Sequence, residues 1–317
     1  MKALLLTLTT LFAAGGFAAN NTIVRGTDRF ELVYQLTVPE LSASGRLWIP
    51  LAKPDAHQKF EVLTIQSSIA WHRVRDAAGR NDILVLDPGP ADQGERITLR
   101  YQVTRMEKRA HREAGDPKVH LRAERLVPLN ARFITIASAA SAKMKTKDDH
   151  ARAQALYQHV LDHMRYSKAG KGWGRGDALY ACDARTGNCT DFHAYFIALC
   201  RAINIPARFA IGFTIPADKN AGAIGGYHCW AEFHANGKWV PVDISEADKH
   251  PELADYYFGH HPANRLELSR GRDITITPAP KAGPFNYFFG PHLEVNGKEV
   301  PVKATFEFKR LPARSKQ

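Results

Sequence analysis

The chain has 317 residues, of which 44% are hydrophobic and 24% charged, with a net charge of +11. That length supports a sizeable core and favours two domains over one, and the composition excludes a disordered chain. The positive balance suits anionic surfaces such as envelope polymers or acidic proteins, while the lack of a recognition motif or basic helix argues against nucleic acid.

Met1-Lys2, an apolar run through Phe12 and the small residues Ala13-Ala14-Gly15-Gly16 to Ala18-Ala19 have the form of a signal peptide, residues 1–19. The apolar block is short for a bilayer span, and no later segment is long enough. The expectation is export, periplasmic or secreted, with no membrane span after cleavage.

Residues 20–107 read as β structure. Phe30, Leu32, Tyr34, Leu36 and Val38 alternate with polar positions, as do Leu47, Ile49 and Leu51. Further strands are expected at 60–65, 83–86 and 97–103, separated by turn signals such as Asp87-Pro88-Gly89-Pro90. Short strands without intervening helices indicate a β-sandwich. Residues 108–125 read as a linker, with Lys108, Arg109, Arg112 and Lys118 as a solvated basic face.

A second domain, residues 126–317, then contributes helices. Ala153, Leu156, Tyr157, Val160, Leu161 and Met164 form a helical stripe within residues 148–166. The run Gly170-Lys171-Gly172-Trp173-Gly174-Arg175-Gly176 lacks the ending of a phosphate loop and reads as a loop. In Gly187-Asn188-Cys189-Thr190-Asp191-Phe192-His193, a turn delivers a cysteine to the start of a helix that ends before Pro206. Phe192, Phe196, Leu199, Cys200 and Ile203 give that helix one buried stripe. A thiol there lies among free amides at the positive end of the helix dipole, where thiolate is favoured.

Tyr227-His228-Cys229-Trp230-Ala231-Glu232-Phe233-His234 reads as a strand, Asn236-Gly237 as a hairpin turn and Lys238-Trp239-Val240-Pro241-Val242-Asp243 as the return. A two-residue turn pairs Ala235 with Lys238 and, counting outward, Trp230 with Asp243. His228 and Asp243 then share a face as diagonal neighbours. Pro241 requires an edge or a bulge. Cys229 points to the opposite face. Cys189, His228 and Asp243 are the parts of a nucleophile, a base and an orienting acid.

These motifs, with Arg201-Ala202-Ile203-Asn204-Ile205-Pro206-Ala207-Arg208 and Gly212-Phe213, resemble the core of the transglutaminase-like superfamily over residues 181–245. The resemblance implies Cys189 as nucleophile, His228 as base and acid, Asp243 as orienter, and a papain-like core. The fold class expected is α+β: an N-terminal β-sandwich followed by this core. Trp173 is a candidate for the oxyanion side chain that family members carry upstream of the cysteine, beside the Cys189 amide; His193 and Trp230 are site-lining candidates.

The activity expected is acyl transfer from a peptide or protein amide, with an envelope-associated substrate, through a thioester. Water is the favoured acceptor, an amine acceptor giving crosslinks is the alternative, and a non-catalytic envelope-binding protein is the contrasting class. No cofactor or metal is expected. The cysteines lack a Cys-x-x-Cys pair, which disfavours zinc, and pairing among Cys182, Cys200 and Cys229 stays open. The last strands, at 273–277, 285–289, 292–295 and 306–308, are expected to complete the second domain's sheet.

Overall fold

The computed structural model describes residues 23–142, 144 and 148–312, so the expected signal peptide lies outside the described residues. The chain begins with β1 (Thr27–Thr37), β2 (Gly45–Leu51), β3 (Gln58–Gln66), β4 (Trp71–Arg75), β5 (Asp82–Leu86) and β6 (Arg96–Met106). A mostly helical stretch follows: α1 (Ala131–Ser141), α2 (Asp149–His163), β7 (Arg165–Tyr166), α3 (Ala178–Ala184), β8 (Thr186–Gly187) and α4 (Cys189–Ala202). Next come β9 (Ala207–Thr214), β10 (Ala221–Ala223), β11 (His228–Ala235) and β12 (Lys238–Val242). The chain ends with α5 (Ile244–Lys249), α6 (Ala254–Tyr257), β13 (Arg265–Arg270), β14 (His292–Val295), β15 (Lys298–Val300) and β16 (Lys303–Arg310). This is an α+β protein.

The strict alternation of β1 and β6 buries one face of each: Phe30, Leu32, Tyr34 and Leu36 face inward with Ile97, Leu99, Tyr101 and Val103. Their sheet has the order β10-β16-β1-β6-β3, and the opposing sheet has the order β15-β14-β2-β5-β4. The two inner faces share one apolar cluster, in which Leu47, Ile49, Leu84 and Leu86 meet the residues just named.

The C-terminal strands therefore correct the expectation for them. β16 pairs with β1 from Phe30↔Arg310 to Thr37↔Lys303, and β14 pairs with β2. They complete the sandwich instead of the second domain's sheet. Residues 273–277 and 285–289 are not strands; Ile274 and Phe285 form one isolated bridge. Ile274, Ile276 and Phe288 instead cover the outer face of β2 and β5 over Trp48, Ile83 and Val85. Alternation there signalled two apolar neighbours, not a ladder.

Besides the short parallel pair β7-β8, a four-stranded sheet, β12-β11-β9-β13, is antiparallel and carries α4 against it. The expected stripe on α4 understates its burial. Every residue from Cys189 to Arg201 is buried, because α1, α2, α3 and α5 also touch the helix. Burial of Arg201 is tolerated because its guanidinium pairs with Glu124 at 2.9 Å and donates to the Ala207 carbonyl.

Residues 108–125 are not a free linker. Lys108 bridges to His261 and His111 to Trp239 by backbone pairing. Lys108 is fully buried, not solvated, with its ammonium 3.3 Å from Glu232 and 3.4 Å from Glu267. A lysine chosen by two buried carboxylates looks, in sequence, like any member of a basic run.

Candidate active site

α4 begins where Asn188 caps it. The Asn188 Oδ1 accepts from the Thr190 amide at 2.9 Å and from its hydroxyl at 2.6 Å. Asp191 closes the reciprocal cap by accepting the Asn188 amide at 3.0 Å. The same carboxylate accepts the amides of Gly174 at 2.7 Å and Gly176 at 2.9 Å, which pins the glycine-rich loop beside Cys189. Both glycines have positive φ, 83° and 61°, which an L side chain resists. Cys189 is the first helical residue, and its amide has no hydrogen-bond acceptor among the described residues.

The hairpin has the expected register: Ala235 faces Lys238, and the ladder runs to Ala231 opposite Val242. Asn236 and Gly237 have φ of 51° and 73°, the turn geometry their identities favour. Pro241 lies on β12, the edge strand of its sheet. Pairing thus carries Asp243 to His228, and the imidazole Nε2 lies 2.7 Å from the Asp243 Oδ2. The other ring nitrogen, Nδ1, is left for the sulfur, and His228 and Cys189 are hydrogen-bonded through their side chains. The structure brings Cys189, His228 and Asp243 together.

Electrostatics follow from this contact. Burial opposes the Cys189 thiolate, but hydrogen bonds from Cys229 and His228 and the imidazole charge hold the thiol well below its ordinary value. Burial also disfavours the His228 cation, yet Asp243 and Cys189 raise the imidazole to about 9. Asp243 is fully buried, and against that burial His228 and Arg265 keep its carboxyl well below the usual range. Thiolate and imidazolium are the favoured partners at neutral pH.

Cys229 does lie on the α4 side of its strand, yet it is not idle: its thiol hydrogen-bonds to the Cys189 sulfur and lies 3.6 Å from His193 Nδ1. All four cysteines are free thiols, which closes the pairing left open among Cys182, Cys200 and Cys229. His193 is fully buried behind Cys189. Its Nδ1 lies 2.7 Å from the Cys189 carbonyl and its Nε2 accepts the Ile244 amide at 3.2 Å, so it braces α4 against α5 and does not line the site. Trp230 is fully buried too, 6.0 Å from the His228 ring and donating to Glu267, so it backs the imidazole instead of meeting a ligand. Trp173 is half-buried next to Gly174, with the Lys168 ammonium 5.9 Å above its ring.

Three contributors escaped the sequence. Arg265 donates to Asp243 at 2.5 Å and stacks over Trp230 at 4.9 Å. Nothing local marks it, because β13 joins the sheet from beyond α6. Tyr227 accepts from the Asn188 side chain at 2.9 Å and is itself hydrogen-bonded to Tyr287, whose hydroxyl donates to the Gly174 carbonyl. Its place before His228 was the available signal. Asp191 carries a pattern that sequence does show, an Asn followed three residues later by an acid.

A cysteine on a buried helix start faces an imidazole and an acid on an antiparallel sheet, an arrangement able to activate a thiol. Residues 137–244 match the model of the transglutaminase-like superfamily. An uncharacterised protein of Haemophilus influenzae is 30% identical over 191 residues, 50% of this chain and 52% of the relative. The chain thus spans about half the length of the curated relative it matches. Among solved structures, a candidate cysteine protease from Cytophaga hutchinsonii superposes with a TM-score of 0.62 at 16% identity, over 92% of this chain and 93% of that one. The periplasmic domain of TgpA from Pseudomonas aeruginosa is a looser match, with a TM-score of 0.37 at 20% identity over 79% and 98% of the two chains.

Proposed function

We propose that the chain is an exported cysteine-dependent enzyme that cleaves amide bonds in a peptide or protein of the cell envelope. The observation that carries the proposal is the 2.7 Å His228–Asp243 contact beside a thiol at the α4 start. The Cys189 thiolate attacks the carbonyl carbon, and the oxyanion that forms is met by the free Cys189 amide. As the C–N bond breaks, the proton on His228 Nδ1 passes to the departing amine and leaves a thioester. Water then attacks, His228 takes its proton, and the acid is released with the thiolate restored. Asp243 holds the ring orientation and its charge throughout. Export rests on the sequence of residues 1–19, and the net charge of +11 suits an anionic envelope.

The test is replacement of Cys189 by Ala and, separately, of His228 by Ala, with folding checked by circular dichroism. Loss of amide cleavage in both folded variants supports the mechanism; an unchanged rate in either refutes it. A labelled primary amine added to the reaction distinguishes acceptors: incorporation into product would replace hydrolysis by crosslinking.

A further inference from the structure

We propose that the cleft between the sandwich and the core sheet binds a small polyanion bearing carboxylate or phosphate groups, at a site separate from the thiol. The cleft is a cavity of about 520 Å³ walled by the turns after β2 and β4, by residues 111–120 and by the ends of β9, β12 and β13. That size and its position at a domain junction suit a small ligand. It lies at the far end of the strands from the triad. Arg208 is four residues along β9 from Gly212, the partner of His228, roughly 13 Å at strand rise.

The lining already displays what it recognises. Glu113, on the segment joining the two halves, places its carboxylate 2.6 Å from Arg208 and 3.3 Å from Arg270. Burial disfavours that carboxylate, yet His111, Arg208 and Arg270 hold it ionised, well below its ordinary range. The chain's own anion therefore occupies one seat of a guanidinium pair shaped for oxyanions.

A second seat is unfilled. Arg80, on the β4–β5 turn, has no side-chain hydrogen bond or ion pair among the described residues, and its Nε is buried without a partner. Its guanidinium lies over Gly271, where φ is 86° and an added Cβ would come within 3.3 Å of it. Arg208 and Arg270 are already balanced, Arg208 by Glu232 behind it and Arg270 by Asp55 and Glu267, while Asp116 caps the Lys118 amide. Arg80 alone among the three has no acid paired with it among the described residues. His120 reports the resulting field: burial, then Arg208 and Arg80, push its imidazole down to about 3. A neutral His120 does not compete for an anion, and the charge of Arg80 is left for an incoming one.

Citrate and inorganic pyrophosphate, each titrated separately into the full chain by calorimetry, test this site and distinguish its two chemistries. Saturable binding of either is expected, weakened on the order of tenfold by Arg80→Gln and restored by Arg80→Lys. Glu113→Gln removes the competing carboxylate and should tighten binding several-fold. By NMR, the His120 imidazole should titrate at higher pH in the saturated protein. Failure of both anions to bind at millimolar concentration, binding indifferent to Arg80→Gln, or weaker binding in Glu113→Gln would overturn the proposal. None of these readouts depends on Cys189, so they stand or fall apart from the catalytic reading.

Discussion

Replacing His228 by Gln should change the chemistry of one sulfur by a calculable amount. With its imidazolium present, Cys189 is held well below the ordinary 9.0, against a burial that favours the neutral thiol. Without it, one of the contacts that favour thiolate is gone while burial still favours the neutral thiol, so the pKa of Cys189 rises and its thiolate fraction at pH 6 falls. Nucleophilicity rises with basicity, with a Brønsted coefficient of about 0.4–0.5, so each unit by which the thiol rises removes about tenfold of thiolate and returns about threefold of reactivity. The net loss in alkylation rate at pH 6 is then about threefold for each unit of rise. Iodoacetamide labelling with mass-spectrometric assignment to Cys189 measures it, because the buried Cys200 and Cys229 are pushed the other way. The wild-type rate should be nearly flat from pH 6 to 8, whereas the variant should gain about tenfold per unit. Equal rates at pH 6, or a wild-type rate climbing tenfold per unit, would refute the ion pair.

Turnover should fall as pH rises through about 9, where His228 loses the proton it delivers to the leaving amine; a profile flat to pH 10 removes His228 from that role. The same raised value gives stability its sign. The contribution of His228 is complete below the free imidazole value of 6.5 and fades as pH climbs to about 9, a decline that chemical denaturation read across this range would show. Asp191→Asn substitutes an N–H₂ for one of the two oxygens that together accept three amides, so about 1–3 kcal/mol of stability should go, along with order in residues 170–176, read by urea unfolding and limited proteolysis. Gly212→Ala would put a methyl 1.8 Å from the Leu266 carbonyl oxygen, in the middle of the β9–β13 pairing. That variant should fail to fold or lose most of its cooperativity by circular dichroism, and a normal melting curve would contradict the strand geometry.

The triad was legible because its geometry is local. A two-residue turn fixes a hairpin's register, the register fixes which residues share a face, and a proline stop fixes where the nucleophile's helix ends. Long-range partners were not legible. Arg265 reaches Asp243 from a strand whose own sequence, Arg-Leu-Glu-Leu-Ser-Arg, says only that it alternates. Lys108 sits in a basic run, and only Glu232 and Glu267, distant in sequence, reveal it as buried. β14–β16 were recognised as strands over much of their length, but alternation does not say which sheet receives a strand. Nor does one apolar stripe reveal a helix enclosed on several faces, as α4 is.

The pairing of β16 with β1 makes the sandwich a clasp whose two halves are the opening and closing parts of the described chain. Apart from β10, which joins the sandwich beside β16, the elements between them, Cys189 included, are held as an insertion. During synthesis the first strands must wait for nearly the last before their sheet is complete, while the enclosed helices and core sheet can settle earlier. The entropic cost of such a long closure grows only with the logarithm of its length, so the delay is kinetic more than energetic. A chain broken off before β16 would therefore leave the seam beside β1 open, and the reactive core would be tethered to an unfinished shell.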